Sequence, residues 1–222
     1  MNSNWYQLVE QQMLKLREKV GSVNGVVHIG ASRLQERGSY NKIGVDKIIW
    51  IEALPSIFEE IKHLETEKEK IFNHTIWSED NKEFDFLITN NDGQSSSILP
   101  LSKELKNIFP SVKVIDSIKV KTITMKTFYE KYNVSHTDYD HLCLDVQGAE
   151  LEVLKGFGSI LNNFKSILCE VSYVELYENQ PLINDIDLFL KDFNFYREKG
   201  INYTGSTGVW TDALYINKNF TI

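Results

Sequence analysis

The sequence predicts one α/β domain in which helices flank a mostly parallel sheet. Short apolar runs that end on a glycine or an acid alternate with stretches of helical spacing, as in parallel strands joined by crossover helices. The 222 residues suffice for one well-buried core but are short for two. We therefore expect a single domain at residues 26–222, preceded by a helix within residues 1–25 that packs on its body.

The individual elements follow from periodicity and from the residues that punctuate it. Residues 4–20 have apolar positions at near-helical spacing, and Gly21 follows where a helix would stop. Strands are expected at residues 26–29, 48–51 and 142–144, which end before Gly30, Glu52 and Asp145, and also at 166–171 and 213–216. Helices are expected at residues 56–68 behind Pro55, at 149–155 with a stop at Gly156, and around 183–193.

One region breaks this alternation. Residues 71–77 and 84–88 are β-like runs joined by a polar turn at 78–82. They predict a hairpin added to the sheet. Residues 90–97 then form a loop rich in turn formers and hydroxyl groups.

Composition disfavours several kinds of partner. A net charge of −7 argues against nucleic acid, because phosphate binding depends on clustered Lys and Arg. No stretch approaches the roughly 20 apolar residues of a membrane span. The N-terminus lacks the basic and apolar regions of a secretory signal, so we expect a cytoplasmic protein. Cys143 and Cys169 lie in apolar segments and are expected to be buried, reduced thiols.

The first constellation is Gly30 after one strand and Glu52 at the tip of the next, about twenty residues on. Glycine lets a ligand approach the backbone, and an acid at the second tip can bind both ribose hydroxyls. Together they predict a nucleoside-type cofactor, although a tight turn and a surface acid are the simpler alternative. The G-x-G-x-x-G pattern is absent, so the spacing suits S-adenosylmethionine (SAM) at least as well as NAD.

The second constellation places Asp145 at the tip of a buried strand, facing the ligand cleft of an open parallel sheet. Its carboxylate could bind a cationic amino group, hold a metal or orient an acceptor; the alternative is a helix cap. Glu150 follows in the first helical turn, where the helix dipole favours an anion regardless of function.

A third group surrounds these residues. The loop at residues 93–97 could hold a carboxylate, or could be a flexible surface loop. Glu170 is aimed at the same edge, unless it pairs with Lys165. His28 precedes the glycine turn as a strand-end histidine or a cofactor neighbour, and the five histidines show no metal-site spacing.

In this order the constellations resemble the FkbM-type family of class I SAM-dependent methyltransferases. The segment LDVQGAELEVLKG at residues 144–156 is similar to the family signature L-K-x-D-x-E/Q-G-x-E-x-x-x-L-x-G. Supporting matches are HIGA at 28–31 with Glu36 and Tyr40, IWIEA at 49–53, the serines at 95–97 and DALYI at 212–216. Many members carry Asp where this chain has His28, and Leu34 or one of its neighbours replaces the second glycine of their D-x-G-A-x-x-G pattern.

The resemblance implies a Rossmann-like sheet of about seven strands, SAM as methyl donor, and O-methylation of a hydroxyl or carboxylate on a sugar, glycan or natural product. We expect Asp145 at the reaction centre, with Glu150, Glu170 or His28 as proton acceptor. Asp145 and Glu170 could also contribute ligands to Mg²⁺, which leaves metal assistance open. The implied cofactor contacts are His28, Gly30, Ala31, Glu36, Glu52, Ala53, Ser78, Ser96 and Asp145.

The expected partner is a small-molecule, sugar or peptide-derived acceptor, and a homodimer or a fusion to other biosynthetic domains is compatible with the sequence. Residues 179–210 and the aromatic residues Tyr177, Tyr196, Tyr203 and Trp210 are expected to shape acceptor specificity, partly by stacking. Two other functions remain open: an NAD(P)-dependent reductase on the same sheet, and a non-catalytic binding module of this fold.

Overall fold

The computed structural model describes residues 13–45, 47–199, 203–204 and 208–221, with the backbone alone at 203 and 204. Its helices are α1 (residues 13–20), α2 (Arg37–Lys42), α3 (Pro55–Ile61), α4 (Lys103–Ile108), α5 (Met125–Tyr132), α6 (Glu150–Phe157) and α7 (Ile183–Lys191). Its strands are β1 (Val26–Ile29), β2 (Ile48–Glu52), β3 (Glu69–Asn73), β4 (Thr75–Ile76), β5 (Glu83–Thr89), β6 (Val114–Ile123), β7 (His141–Leu144), β8 (Ser166–Ser172), β9 (Phe195–Arg197), β10 (Tyr203–Thr204) and β11 (Trp210–Asn217).

The main sheet has the strand order β10-β11-β8-β7-β1-β2-β3, and β9 also pairs with β11. The five strands from β8 to β3 are parallel, and β11 is antiparallel to β8. Strands β1, β2 and β7 are buried along their whole length, which explains why they read as continuous apolar runs. The predicted α/β fold with a mostly parallel sheet of about seven strands is confirmed.

The sheet is covered on both faces by separate apolar clusters. One contains residues of α5, α6 and α7, including Phe128, Leu154 and Ile186. The other contains Trp50 and Tyr40 together with Met13, Leu16 and Val20 of α1. The described part of the N-terminal helix therefore packs on the body, while residues 1–12 of that prediction lie outside the described residues.

The predicted hairpin between residues 71–77 and 84–88 is wrong. Strand β3 continues the main sheet beside β2, whereas β5 pairs antiparallel with β6 in a small sheet of order β4-β6-β5. Strand β3 is the edge strand of the main sheet, where its two apolar residues, Ile71 and Phe72, pack on the clusters that cover the two faces. Only one face of β5 and β6 is packed, through Phe86, Ile88, Ile118 and Val120. The sequence of β6 therefore lacks the continuous apolar run that would identify it as a strand.

Two helix ends also differ from the prediction. Helix α3 stops at Ile61 and passes into a 3₁₀ turn at Lys62–Leu64. Helix α6 runs through Gly156 to Phe157. Gly156 packs against the chain at Trp77, where a Cβ would lie 2.2 Å from the Trp77 carbonyl oxygen. This glycine serves close packing, and Gly158, with φ of +54°, ends the helix.

The remaining predicted elements are present. Strands β8 and β11 and helix α7 cover residues 166–171, 213–216 and most of 183–193. Cys143 and Cys169 are buried free thiols. Within the described ranges, no helix combines the length and apolar character needed to cross a bilayer.

Candidate active site

A cavity of about 510 Å³ opens at the carboxyl edge of the parallel strands. Its wall includes the residues that follow β1, β2 and β7, residues near the end of β8 and the start of β11, and the loop at residues 91–96. This edge is where open parallel sheets bind ligands. Five of the acids that line it are Glu36, Glu52, Asp145, Glu170 and Asp212.

Gly30 forms the sharp turn after β1. Its φ is +88°, and its backbone N–H and that of Ala31 donate to the Ile51 carbonyl at 2.9 and 3.0 Å. The Asp145 N–H donates to the Ile29 carbonyl at 3.0 Å. The turn thereby packs directly on the residue after β7, and the backbone at Gly30 faces the cavity without a side chain in the way.

Glu52 is held in place by two backbone amides. The N–H groups of Ser32 and Leu54 donate to its two carboxyl oxygens, each at 2.8 Å. Burial raises the pKa of Glu52, although these hydrogen bonds act in the opposite direction. Each oxygen keeps acceptor capacity, so a carboxylate of fixed orientation is presented to the cavity.

Gln147 connects the acids near β7 and β8. Its left-handed backbone, with φ of +55°, turns the chain between Asp145 and α6. The side-chain Nε2 donates to Asp145 Oδ1 at 2.6 Å and to Glu170 Oε1 at 3.2 Å. The Tyr177 hydroxyl donates to Gln147 Oε1 at 2.6 Å, which leaves the amide nitrogen facing the carboxylates.

Carboxyl groups are crowded at this end of the cavity. Glu170 and Asp212 are register partners across β8 and β11. Burial, followed by the charge of Asp145, raises the pKa of Glu170 well above its usual range and that of Asp212 to about 7. The surrounding protein also removes water from Asp145 and so raises its pKa, although part of this residue is exposed on the cavity wall. Because no Lys or Arg of the described residues lines this cavity, a positively charged ligand would be stabilised.

Glu36 and His28 meet at the boundary of the cavity. Burial, with smaller effects of Asp145 and Asp212, raises the pKa of Glu36 to about 8. His28 is buried behind the wall, with Nδ1 2.9 Å from the Tyr40 hydroxyl and its ring 4.8 Å from that of Trp50. Burial lowers the pKa of His28 to about 3, so the imidazole is neutral, and its Nε2 lies 3.9 Å from Glu36 Oε2.

Most of the predicted site residues line the same cavity, and four do not. The cavity wall contains Gly30, Glu36, Glu52, Ala53, Ser96, Asp145 and Glu170, but not His28, Ala31, Ser78 or Glu150. Glu150 is buried, and its Oε1 accepts from the N–H groups of Val146 and Gly148 at 3.1 and 3.2 Å. Ser78 donates to Glu152 on α6. These contacts brace the loops that shape the site.

The suggested partner of Glu170 is also elsewhere. Lys165 precedes β8, at the end of the strand away from the cavity, and its Nζ lies 2.9 Å from Asp140 Oδ2. Glu170 is instead contacted by Gln147.

Sequence reasoning assigned no role to Gln147 or Asp212. Asp212 lies near the start of an antiparallel strand, and the start of such a strand reaches the edge where its parallel neighbours end. That geometry is the signal that could have found it. Gln147 was visible inside the signature, directly between Asp145 and a glycine.

Within the part of the chain that the structure describes, the acids are not arranged as a metal site. Among the described residues, no group of three or more His, Cys, Asp and Glu is arranged to hold a metal ion. The suggested Mg²⁺ coordination by Asp145 and Glu170 is therefore unsupported.

Comparison with known proteins agrees with this architecture. Residues 28–197 match the family described as methyltransferase FkbM domain. A Streptococcus pneumoniae protein, for which a tRNA (m1A22) methyltransferase activity has been suggested, has a TM-score of 0.54 at 11% identity, covering 98% of this chain and 71% of that one. Its structure in complex with SAM gives a TM-score of 0.51 at 10% identity, with 98% and 73% covered.

An uncharacterised Listeria monocytogenes protein has a TM-score of 0.51 at 8% identity, covering 100% of this chain and 70% of that one. At such identities these likenesses show the fold alone. No curated protein matches the sequence. Because the family match covers most of the chain and the fold agrees with it, this chain belongs to the FkbM family of SAM-dependent methyltransferases.

Proposed function

We propose that this protein transfers the methyl group of SAM to a hydroxyl oxygen of a sugar, glycan or natural-product acceptor. The observation that carries the proposal is the convergence of Gly30, Glu52 and Asp145 on one cavity. SAM has a positive sulfonium and an ammonium group, and the acids at this edge supply the opposite charge.

The residues around the cavity suit the three parts of SAM. Glu52, oriented by two backbone amides, would accept hydrogen bonds from the ribose hydroxyls. The apolar wall near it, which includes Leu54, Ile76 and Phe86, would receive the adenine ring. The backbone at Gly30 and the carboxylate of Asp145 would bind the methionine end.

Methyl transfer is a displacement at the sulfonium carbon. A lone pair of the acceptor oxygen forms the new C–O bond, while the electrons of the C–S bond pass to sulfur and leave S-adenosylhomocysteine. The hydroxyl proton passes to a carboxylate. Because the donor is already activated, the protein must chiefly align the acceptor and hold that base.

The base belongs to the cluster of Asp145, Glu170 and Asp212. All three line the cavity, whereas Glu150 and His28 lie outside its wall, and His28 is a weak base at a pKa of about 3. A cluster of interacting carboxyl groups titrates as a unit, so its ionised form is shared among the three.

A hydroxyl fits this site better than a carboxylate. No Lys or Arg lines the cavity among the residues that the structure describes, and the residues outside those ranges contain neither. A carboxylate acceptor would lose its water beside several acids, at a cost of several kcal/mol, and only the sulfonium of SAM would offset its charge.

The proposal is tested by incubating the protein with SAM and a panel of hydroxylated sugars, glycans and natural products, and measuring product mass. We expect one methylene unit to be added to a hydroxyl compound, and the Asp145→Asn variant to lose that product. A parallel titration with NADH separates the reductase alternative. Hydride transfer from NADH, or turnover unchanged in Asp145→Asn, would contradict the proposal.

A further inference from the structure

One part of the cavity wall is apolar and belongs to neither of the two clusters that cover the main sheet. Leu105, Phe109, Val112, Leu176 and Trp210 all line the cavity. They pack with one another in a separate apolar cluster. We call this wall the acceptor chamber.

The chamber is tied together by backbone contacts around α4. Ser102 caps the helix by accepting from the Leu105 N–H at 3.0 Å, and its hydroxyl donates to the Glu175 carbonyl at 2.6 Å. The Ser102 N–H donates to the Leu176 carbonyl at 3.0 Å. The segment between β5 and β6 is thus fastened to the segment after β8, and the two form one wall.

The chamber adjoins the carboxyl cluster. Trp210 and Asp212 are two residues apart on β11 and both line the cavity, as expected for side chains on one face of a strand. Asp212 is in register with Glu170. A molecule lying against Trp210 would therefore have Asp212 and Glu170 near one of its ends.

The chemistry of the wall restricts what can occupy the chamber. Leu105, Phe109, Val112 and Leu176 carry no polar side-chain atom, so hydroxyl groups placed among them would lose water without gaining a hydrogen bond. An anion would meet neither Lys nor Arg there, because none lines the cavity within the described part of the chain. An apolar, uncharged body meets neither penalty.

We propose that the acceptor is an uncharged molecule with an apolar, ring-sized body that occupies the acceptor chamber and directs one hydroxyl at Glu170 and Asp212. This inference rests on the proposed function and selects among its acceptor classes: a natural product with an apolar body is favoured over a free sugar or glycan. The binding energy comes from burial of that body against Phe109 and Trp210.

The test uses three probes that separate apolar character from charge: 2-naphthol, 2-naphthoate and methyl β-glucoside. Each is titrated calorimetrically at neutral pH into the full chain, with and without S-adenosylhomocysteine. We expect 2-naphthol to bind and the glucoside to give no heat. The affinity for 2-naphthoate should be lower than that for 2-naphthol by a factor of about ten or more.

Variants then place the binding in the chamber. Phe109→Ala should lower the affinity for 2-naphthol about tenfold by removing ring contacts. Val112→Lys should raise the affinity for 2-naphthoate by adding a cation. Ile115→Ala and Ile115→Lys are matched controls on β6, because Ile115 is 65% exposed and does not line the cavity. Affinity for S-adenosylhomocysteine should stay unchanged in all four variants.

Binding of 2-naphthoate or the glucoside at least as tight as that of 2-naphthol would overturn the inference. So would unchanged 2-naphthol affinity in Phe109→Ala together with unchanged 2-naphthoate affinity in Val112→Lys; if Phe109→Ala fails to fold, Val112→Lys and the ranking of probes still decide. Failure of S-adenosylhomocysteine to bind would count against the proposed function instead, since the titrations without it examine the chamber alone.

Discussion

Gly30 and Asp145 are in such close contact that no side chain fits between them. A Cβ on Gly30 would lie 1.8 Å from the Asp145 carbonyl oxygen, and the φ of Gly30 is +88°. The contact joins the turn after β1 to the tip of β7. It fixes the backbone of one proposed SAM contact against the carboxyl-bearing residue of another.

Replacing Gly30 should therefore damage both stability and cofactor binding. We expect Gly30→Ala to lower the free energy of unfolding by about 2–4 kcal/mol, through overpacking and backbone strain. The variant should also bind SAM much more weakly. Chemical denaturation measures the first effect and calorimetry the second. The control is Gly38→Ala in α2, where a Cβ meets nothing within 4 Å; equal behaviour of the two variants would contradict this role of Gly30.

The Tyr177 hydroxyl should matter more for turnover than for stability. Tyr177→Phe removes the 2.6 Å hydrogen bond that orients Gln147, so we expect kcat to fall about tenfold and stability by only about 1 kcal/mol. The matched control is Tyr129→Phe, whose buried hydroxyl has no hydrogen-bond partner among the described residues. The two variants should have clearly different kcat values; the same kcat in both would refute the orienting role.

Asp212 should control the pH dependence of catalysis. Its raised pKa of about 7, caused by burial and then by Asp145, means that the ionised base accumulates as pH rises. We expect kcat of the wild type to increase through about pH 7, and Asp212→Asn to reduce kcat by about 10²- to 10⁴-fold. Asp85→Asn, at an exposed residue of β5, should have no effect. If the pH profile of kcat in Asp212→Asn matches that of the wild type, Asp212 is not part of the catalytic base.

Glu36 should make the ligand-free protein less stable at alkaline pH. Its folded pKa is about 8 against an ordinary value of 4.5, because of burial first and then the charges of Asp145 and Asp212. The folded state therefore holds a proton that the unfolded chain releases above pH 4.5, so stability falls as pH rises from 4.5 to 8.

This effect is on the order of a few kcal/mol. We expect Glu36→Gln to flatten the decline in Tm between pH 6 and pH 9 without abolishing it, because Asp212 behaves in the same way. A steeper decline in the variant than in the wild type would show that Glu36 is ionised in the folded protein.

The convergence of Gly30, Glu52 and Asp145 was predictable from sequence because each directly follows or ends a buried parallel strand. Parallel strands in one sheet bring their carboxyl ends to one edge, so three strand ends locate one site. The packing roles of Ala31 and Ser78 were not predictable, since nothing local distinguishes a residue on the cavity wall from one immediately behind it. For Glu150, its place in the first helical turn already indicates a structural role.

Other features depend on contacts between distant segments. The pairing of β5 with β6 is set across a long connection, and the exposed residues of β6 hide its strand character. Leu34 adopts a φ of +57° at the position where the family pattern has glycine. The chain keeps the left-handed turn there despite a strained side chain, which is buried in the core around Trp50.

The central claim is that the cavity at Gly30, Glu52 and Asp145 binds SAM. Calorimetric titration with S-adenosylhomocysteine tests it most directly, comparing the wild type with Glu52→Gln and with the exposed-site control Glu59→Gln. The account predicts one site per chain, unchanged in Glu59→Gln and weakened about tenfold or more in Glu52→Gln, whose amide group cannot accept from both Ser32 and Leu54. Absence of heat from the wild type, or equal affinity in all three proteins, would contradict it.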